Sequence, residues 1–190
     1  SRSGTEGKGA GYLRFEQATS LFKKIPVKEI NHEYILQNIS RDFGHPLVIH
    51  PSLEDLKNQP MNKPLWVHNR NCINRYSTSA AIVINGKQKG KKNSIATLWA
   101  LIGEPVTSIA IPLWVEAESV PHPLYKGNTA AICAEALRIK KIIHPFAEGS
   151  KINYINVSKL VNKEGKCYLQ VILEAEKEIF VETEKFLKKK

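Results

Sequence analysis

The sequence predicts an α+β fold in which helices precede and follow an antiparallel meander of strands. Apolar residues recur at helical spacing towards both ends of the chain. The middle of the chain instead contains three near-continuous apolar runs separated by turn residues. With 190 residues, of which 42% are hydrophobic, the chain is long enough to bury a core without a disulfide or metal staple. We therefore expect a single domain over residues 1–190.

The chain before the strands predicts a loop and two helices. Residues 1–11 are rich in glycine and charge and predict a flexible loop. From Tyr12 the apolar positions have helical spacing and stop at Pro26, which predicts the first helix. After this proline a second helical pattern starts at Ile30 and is expected to end near Gly44.

A long connection follows, from His45 to Asn74. Its four prolines and its lack of periodicity predict irregular structure with one short strand, from Leu65 to His68. Long connections of this kind in compact domains are often functional.

Three strands are predicted next, over residues 78–85, 94–102 and 106–116. A turn rich in lysine and glycine separates the first two, and a Gly-Glu-Pro turn separates the last two. The strands are almost continuously apolar and include Trp99 and Trp114. This composition predicts a sheet that is covered on both faces.

The last part of the chain predicts two helices. Residues 130–143 have an alanine-rich helical pattern, which allows close packing on the sheet. Residues 154–160 fit either a strand or a helix. Residues 169–187 alternate apolar and charged positions at helical spacing, which predicts an amphipathic helix.

The net charge of +10 comes mostly from lysines that are scattered along the chain. Such scatter is not typical of a nucleic-acid interface, and we expect no nucleic-acid partner. A local cluster occurs in the turn between the first two strands, at Lys87, Lys89, Lys91 and Lys92. An alternative function is therefore a non-catalytic binding module that engages anionic partners through this lysine-rich hairpin.

The distribution of cysteine and histidine predicts neither a disulfide framework nor a metal site. The three cysteines show no CxxC spacing, and four of the six histidines precede proline in extended turns. We expect no metal and no cofactor. No apolar run approaches the length of a membrane span, so no membrane partner is expected either.

Arg75 is the first candidate site residue. It lies just before the first predicted strand, where a sheet edge meets solvent or a ligand. An arginine in this position is often a solvated surface residue, so its placement alone decides nothing.

Several motifs in one order make Arg75 more informative. They are Gly11–Arg14 before the first helix, Arg75–Ala81, Thr97–Trp99 with Gly103 and Pro105, and Ser108–Val115. Together they resemble the C-terminal half of the N-terminal-nucleophile (Ntn) hydrolases. Within that superfamily the chain is most similar to the acyl-coenzyme A:6-aminopenicillanic acid acyltransferases and the linear-amide hydrolases, which include the choloylglycine hydrolases.

The resemblance implies a four-layered αββα sandwich of two antiparallel sheets between helices. It also implies an N-terminal cysteine, exposed by autocatalytic cleavage, that attacks an amide carbonyl with its own α-amine as base. An acyl thioester follows, which water or an acceptor amine releases. The substrate is then a small acyl amide, and the resemblance leaves hydrolysis or transfer, homo-oligomerisation and cellular compartment open.

The resemblance assigns one catalytic residue in this chain, Arg75, which matches the arginine that faces the nucleophile. Ser77 shares strand parity with Arg75 and is a candidate to support the site, whereas Tyr76 is expected to point to the opposite face and to pack or line the pocket. The nucleophile and the oxyanion asparagine match no position here. We therefore expect the N-terminal half of the same protein as a partner and no activity from this chain alone.

The residues that could replace the nucleophile are not predicted to do so. Cys72 lies close to Arg75 in sequence, but an internal cysteine has no free α-amine to act as base. Ser1 belongs to a polar, glycine-rich segment that does not predict a buried strand.

Overall fold

The computed structural model describes residues 11–58, 60, 63–87, 90, 94–146 and 148–189. The fold mixes helix and sheet, with 44% helical and 15% strand content, and this confirms the α+β prediction at that level. The loop predicted over residues 1–11 lies, except for Gly11, outside the described residues.

Helix α1 (Tyr12–Lys23) confirms the first predicted helix. The second is shorter than predicted, because α2 (His32–Tyr34) continues only through a π-helical turn (Ile35–Ile39). The Asn31 side chain caps its start by accepting a hydrogen bond from the backbone N–H of Tyr34, at 2.8 Å.

The long connection contains a short helix, α3 (Leu53–Leu56), and strand β1 (Trp66–His68) at the predicted position. The segment that the sequence left open forms strand β5 (Tyr154–Asn156), followed by a 3₁₀ turn (Val157–Lys159). Strands β1 and β5 pair antiparallel in a two-stranded sheet.

The predicted meander is confirmed as a three-stranded antiparallel sheet with the order β2-β3-β4. Its strands are β2 (Ala80–Asn85), β3 (Thr97–Ile102) and β4 (Ala110–Trp114). Each is shorter than predicted. The largest difference is in β4, because Pro105–Thr107 forms a 3₁₀ turn instead of strand.

One face of this sheet packs against helices. Trp99 and Leu101 of β3 and Ala110 of β4 form a buried cluster with Leu36 of the π-helical turn and Phe180. Phe180 belongs to the last helix, α5 (Tyr168–Lys188), which confirms the predicted C-terminal helix.

The other face of the sheet corrects a prediction. We expected both faces to be covered, but Ile82 and Ile84 are 60% and 67% exposed. The same face carries further apolar side chains that are partly exposed, namely Leu98, Ile102, Ile111 and Leu113. Hydrophobic composition shows that a face is suited to burial, but it does not identify the partner. We call these six residues the open face.

A second core lies between α4 (Ala131–Ile143), the first half of α5 and the two-stranded sheet. Its fully buried members include Ile143, Ile155, Leu160 and Leu169. Helix α4 confirms the alanine-rich prediction. Among the described residues, no helix is long and apolar enough to cross a membrane.

Candidate functional site

Arg75 lies in a tight turn at the end of the three-stranded sheet. The backbone N–H of Thr78 donates to the Arg75 carbonyl at 2.8 Å, and the N–H of Arg75 donates to Thr78 Oγ1 at 3.3 Å. The Thr78 hydroxyl in turn donates to the carbonyl of Ile73 at 3.2 Å. Because the backbone N–H of Gly103 donates to the Ser79 carbonyl at 2.9 Å, the turn is joined directly to the end of β3.

The residue before Arg75 fixes the turn to the rest of the fold. Asn74 is fully buried. Its backbone N–H donates to the Asp42 carbonyl at 2.8 Å, and its Nδ2 donates to Glu104 Oε1 at 2.9 Å. Its Oδ1 accepts from the N–H of Val106 at 3.4 Å. The backbone that carries Arg75 is therefore held by two other segments of the chain.

Glu104 is the acidic centre of this region and is 1% exposed. Its Oε1 accepts from Asn74 and also lies 3.1 Å from Nε2 of His144, at the C-terminal end of α4. Lys140 of the same helix places its ammonium 3.7 Å from Glu104 Oε2. We call Asn74, Glu104, Lys140 and His144 the Glu104 cluster.

Tyr76 is joined to this cluster and not to the Arg75 guanidinium. Lys140 donates a hydrogen bond to the Tyr76 carbonyl, and its ammonium lies 4.0 Å from the centre of the Tyr76 ring. The Tyr76 ring also meets the His144 ring edge to face, at 5.1 Å between centroids. These contacts give Tyr76 a packing role between the turn and α4.

The Arg75 guanidinium is in a different situation. It is partly buried, yet among the described residues it has neither a carboxylate partner nor a hydrogen-bond acceptor. A second arginine, Arg14 on α1, has its pKa lowered by burial and then by the positive charge of Arg75. Two guanidinium groups near one another with no described acidic partner create a positive region that favours an anionic or strongly polar ligand.

The hydrogen bonds around Asp42 explain why α1 lies beside the Arg75 turn. Gln17, one helical turn after Arg14, donates through Nε2 to Asp42 Oδ2 at 3.0 Å. The carbonyl of the same aspartate accepts from Asn74. Asp42 thus bridges α1 and the turn, and burial raises the pKa of its carboxyl group.

Asp42, whose carbonyl accepts from the backbone N–H of Asn74, also lines a cleft of about 770 Å³. Its polar lining includes Gln17, Tyr34, Asp42 and His50. A concave space of this size with a few convergent polar groups can accept a small molecule. Asp42 therefore connects the cleft with Asn74, but the residues that line the cleft do not include Arg75 or its neighbours in the turn.

Ser77 is exposed, and in the described part of the chain no hydrogen bond joins it to Arg75. Thr78 closes the turn around Arg75 instead. Side chains alternate between the two faces of a sheet only within a strand, and β2 begins at Ala80. Residues 75–78 form a turn, so strand parity could not identify Thr78 as the residue that hydrogen-bonds to Arg75.

Cys72 is buried, and its thiol donates to the Phe43 carbonyl at 3.1 Å. Burial, with the negative charge of Asp42 as a smaller cause, raises the pKa of Cys72 to about 12. His50 Nδ1 lies 3.9 Å from the sulfur, a neighbour that the sequence did not reveal, but this nitrogen also faces the Phe43 carbonyl at 2.7 Å. A protonated, buried thiol is a structural group and a poor nucleophile.

The lysine-rich hairpin is described only in part. Lys89, Lys91 and Lys92 lie outside the described residues. Lys87 is exposed, and its ammonium lies 3.4 Å from Glu116. Among the residues that the structure describes, no group of three or more His, Cys, Asp or Glu side chains could hold a metal ion.

Comparisons with protein-family models, with curated proteins and with solved structures find no match for this chain.

Proposed function

We propose that this chain forms part of an amide hydrolase or N-acyltransferase in which Arg75 contacts the acyl-amide substrate. The observation that carries the proposal is the combination of a firmly held backbone and a free guanidinium at the same position. Asn74 and Thr78 hold the turn on both sides of Arg75, whereas no described group neutralises its charge.

This combination suits the stabilisation of oxygen atoms that carry negative charge. A guanidinium offers a planar fork of N–H donors, which can bind a carboxylate or a developing oxyanion through two hydrogen bonds. A donor that is already oriented needs little reorganisation during the reaction. The nearby positive charge of Arg14 adds to the attraction for an anionic group.

The open face supports the αββα arrangement that the sequence resemblance implies. A sheet with helices on one face and exposed isoleucines on the other has the composition of an inner layer. We propose that a second sheet, from the N-terminal half of the same protein, packs on the open face at about 10 Å, as in aligned sandwiches. That half would also supply the nucleophilic cysteine, and the present chain would be inactive alone.

The first test uses the complete gene product. Its N-terminal residue and intact mass are determined after purification, and turnover of a panel of acyl amides is measured. We expect an N-terminal cysteine and amide turnover that iodoacetamide abolishes. A full-length product without a processed nucleophile and without turnover would contradict the proposed activity.

The second test concerns Arg75 itself. Arg75→Ala is expected to lower kcat/KM about 10²–10³-fold, the usual effect of removing one donor to a developing oxyanion. Arg70→Ala is the matched control, because Arg70 is an exposed arginine in the same connection. Equal turnover in the Arg75→Ala variant and the control, with both proteins folded by circular dichroism, would end the assignment of Arg75.

A further inference from the structure

Glu104 is a buried acidic residue between β3 and the following 3₁₀ turn, and nothing in the local sequence singled it out. Its carboxylate joins two parts of the fold that are distant in sequence. Asn74, beside Arg75, and His144, directly after α4, both contact its Oε1, at 2.9 and 3.1 Å. A displacement of Glu104 would therefore also move Asn74 and the Arg75 turn.

The charges around Glu104 explain how its carboxylate can be buried. An ionised carboxylate in the protein interior is costly unless it is paired and hydrogen-bonded. Lys140 supplies a positive charge 3.7 Å from Oε2. His144 adds a second polar contact, since its Nδ1 faces the Tyr154 carbonyl at 3.1 Å and its Nε2 faces Glu104. Both ring nitrogens thus lie within hydrogen-bond distance of an oxygen atom, which fixes the orientation of the imidazole ring.

The hydrogen bonds of the carboxylate are concentrated on one oxygen. Oε1 meets Asn74 and His144, whereas Oε2 has no hydrogen-bond partner among the described residues. Among the described residues, the Glu104 carboxylate is therefore oriented by only two hydrogen-bond partners, Asn74 and His144. Asn74 in turn bonds to the backbone of Asp42 and Val106, so the position of the turn depends on this link.

We propose that Glu104 is a positioning residue that acts through Asn74 to hold the Arg75 guanidinium towards its ligand. Lys140 and His144 keep the carboxylate in place from α4. The inference rests on the proposed function for what Arg75 binds, but the orientation of Arg75 can be measured without any substrate.

The experiment compares Asn74→Ala and Glu104→Gln in the complete protein. Asn74→Ala removes the link and leaves the Glu104 carboxylate with Lys140 and His144, so it tests positioning if Glu104→Gln fails to fold. Glu135→Gln is the control, because Glu135 is an exposed acidic residue of α4 that pairs with Arg138. The rate at which p-hydroxyphenylglyoxal modifies Arg75 is measured by peptide mass mapping, with Arg70 as the internal reference.

We expect the rate of Arg75 modification to change at least threefold in Asn74→Ala and Glu104→Gln, with Arg70 unchanged and the control equal to wild type. Equal rates at Arg75 in all four proteins would overturn the inference. This readout does not depend on amide turnover, so it separates failure of the inference from failure of the proposed function.

The kinetic test asks whether Glu104 acts through Arg75. Glu104→Gln is expected to lower kcat at least tenfold with KM within about threefold of wild type. If Glu104 acts through Arg75, the double variant Arg75→Ala/Glu104→Gln should be no slower than Arg75→Ala alone. Multiplicative losses in the double variant would show an independent structural role and would overturn the inference.

Discussion

Asn74 and Arg75 are adjacent in sequence and lie in opposite environments. Asn74 is fully buried and hydrogen-bonds through its backbone N–H and both side-chain polar atoms. Arg75 is partly buried, and its guanidinium has no acceptor in the described part of the chain. The buried residue holds the backbone, and the guanidinium of its neighbour is the group that we propose to contact the substrate.

Cys72 offers a prediction at the residue scale that follows from its pKa. Because burial raises the pKa to about 12, the thiol stays protonated at pH 8, and iodoacetamide should alkylate it far more slowly than it alkylates the partly exposed Cys133. The rates are measured by mass spectrometry of the native protein. In urea the two cysteines should react at similar rates, which provides the control. Rapid alkylation of Cys72 in the native state would contradict the structural role.

The same shift has a consequence for stability. The ordinary pKa of a cysteine thiol is about 8.5, so between that pH and 12 the native state binds more protons at Cys72 than the unfolded state does. Unfolding free energy should therefore fall as pH rises through this window. The free energy of unfolding, measured by urea titration, should fall less steeply with pH in Cys72→Ala than in wild type. An equally steep fall in both proteins would show that Cys72 does not contribute to the pH dependence of stability.

At the scale of elements, the sequence predicted local structure better than it predicted contacts between distant residues. Helical spacing located α1, α4 and α5. Helices α4 and α5 each bury several apolar residues along one side, whereas α1 buries only Leu21 among its described residues. The position of Arg75 before the first strand of the meander was also visible in the sequence. The hydrogen bond from the neighbouring Asn74 to Glu104 was not visible, because Asn74 and Glu104 meet only after the chain has folded, and periodicity reports only local geometry.

A buried ion pair joins several elements and gives the next prediction. Arg41, just after the π-helical turn, donates to Glu176 of α5 at 2.8 Å, and both side chains are 0% exposed. Glu176 also accepts from the N–H of Ala110 at the start of β4, at 2.7 Å. Removing one member leaves a buried charge without its partner, so Glu176→Ala should lower the free energy of unfolding by about 3–5 kcal/mol.

Urea unfolding of the purified protein checks this value. Glu178→Ala is the matched control, since Glu178 is an exposed glutamate on the same helix and should change stability by less than about 0.5 kcal/mol. Similar stabilities for the two variants would mean that the contacts of Glu176 do not stabilise the fold.

At the scale of the whole molecule, the open face is the feature that most needs a partner. Large exposed apolar patches in soluble proteins mark interaction surfaces. If a second sheet packs there in the complete protein, Ile84→Lys would bury an unpaired ammonium and should be strongly destabilising, by about 3 kcal/mol or more. Val181→Lys is the control, because Val181 is 51% exposed on α5, away from this face.

The melting temperatures of the two variants decide between a covered and a free face. A fall that is much larger for Ile84→Lys than for Val181→Lys indicates that the isoleucine is buried in the complete protein, because an exposed site accepts a lysine with little change. Equal melting temperatures would show that the open face stays in contact with water. The αββα arrangement would then be wrong, and the Arg75 turn would have to form its site without a second sheet.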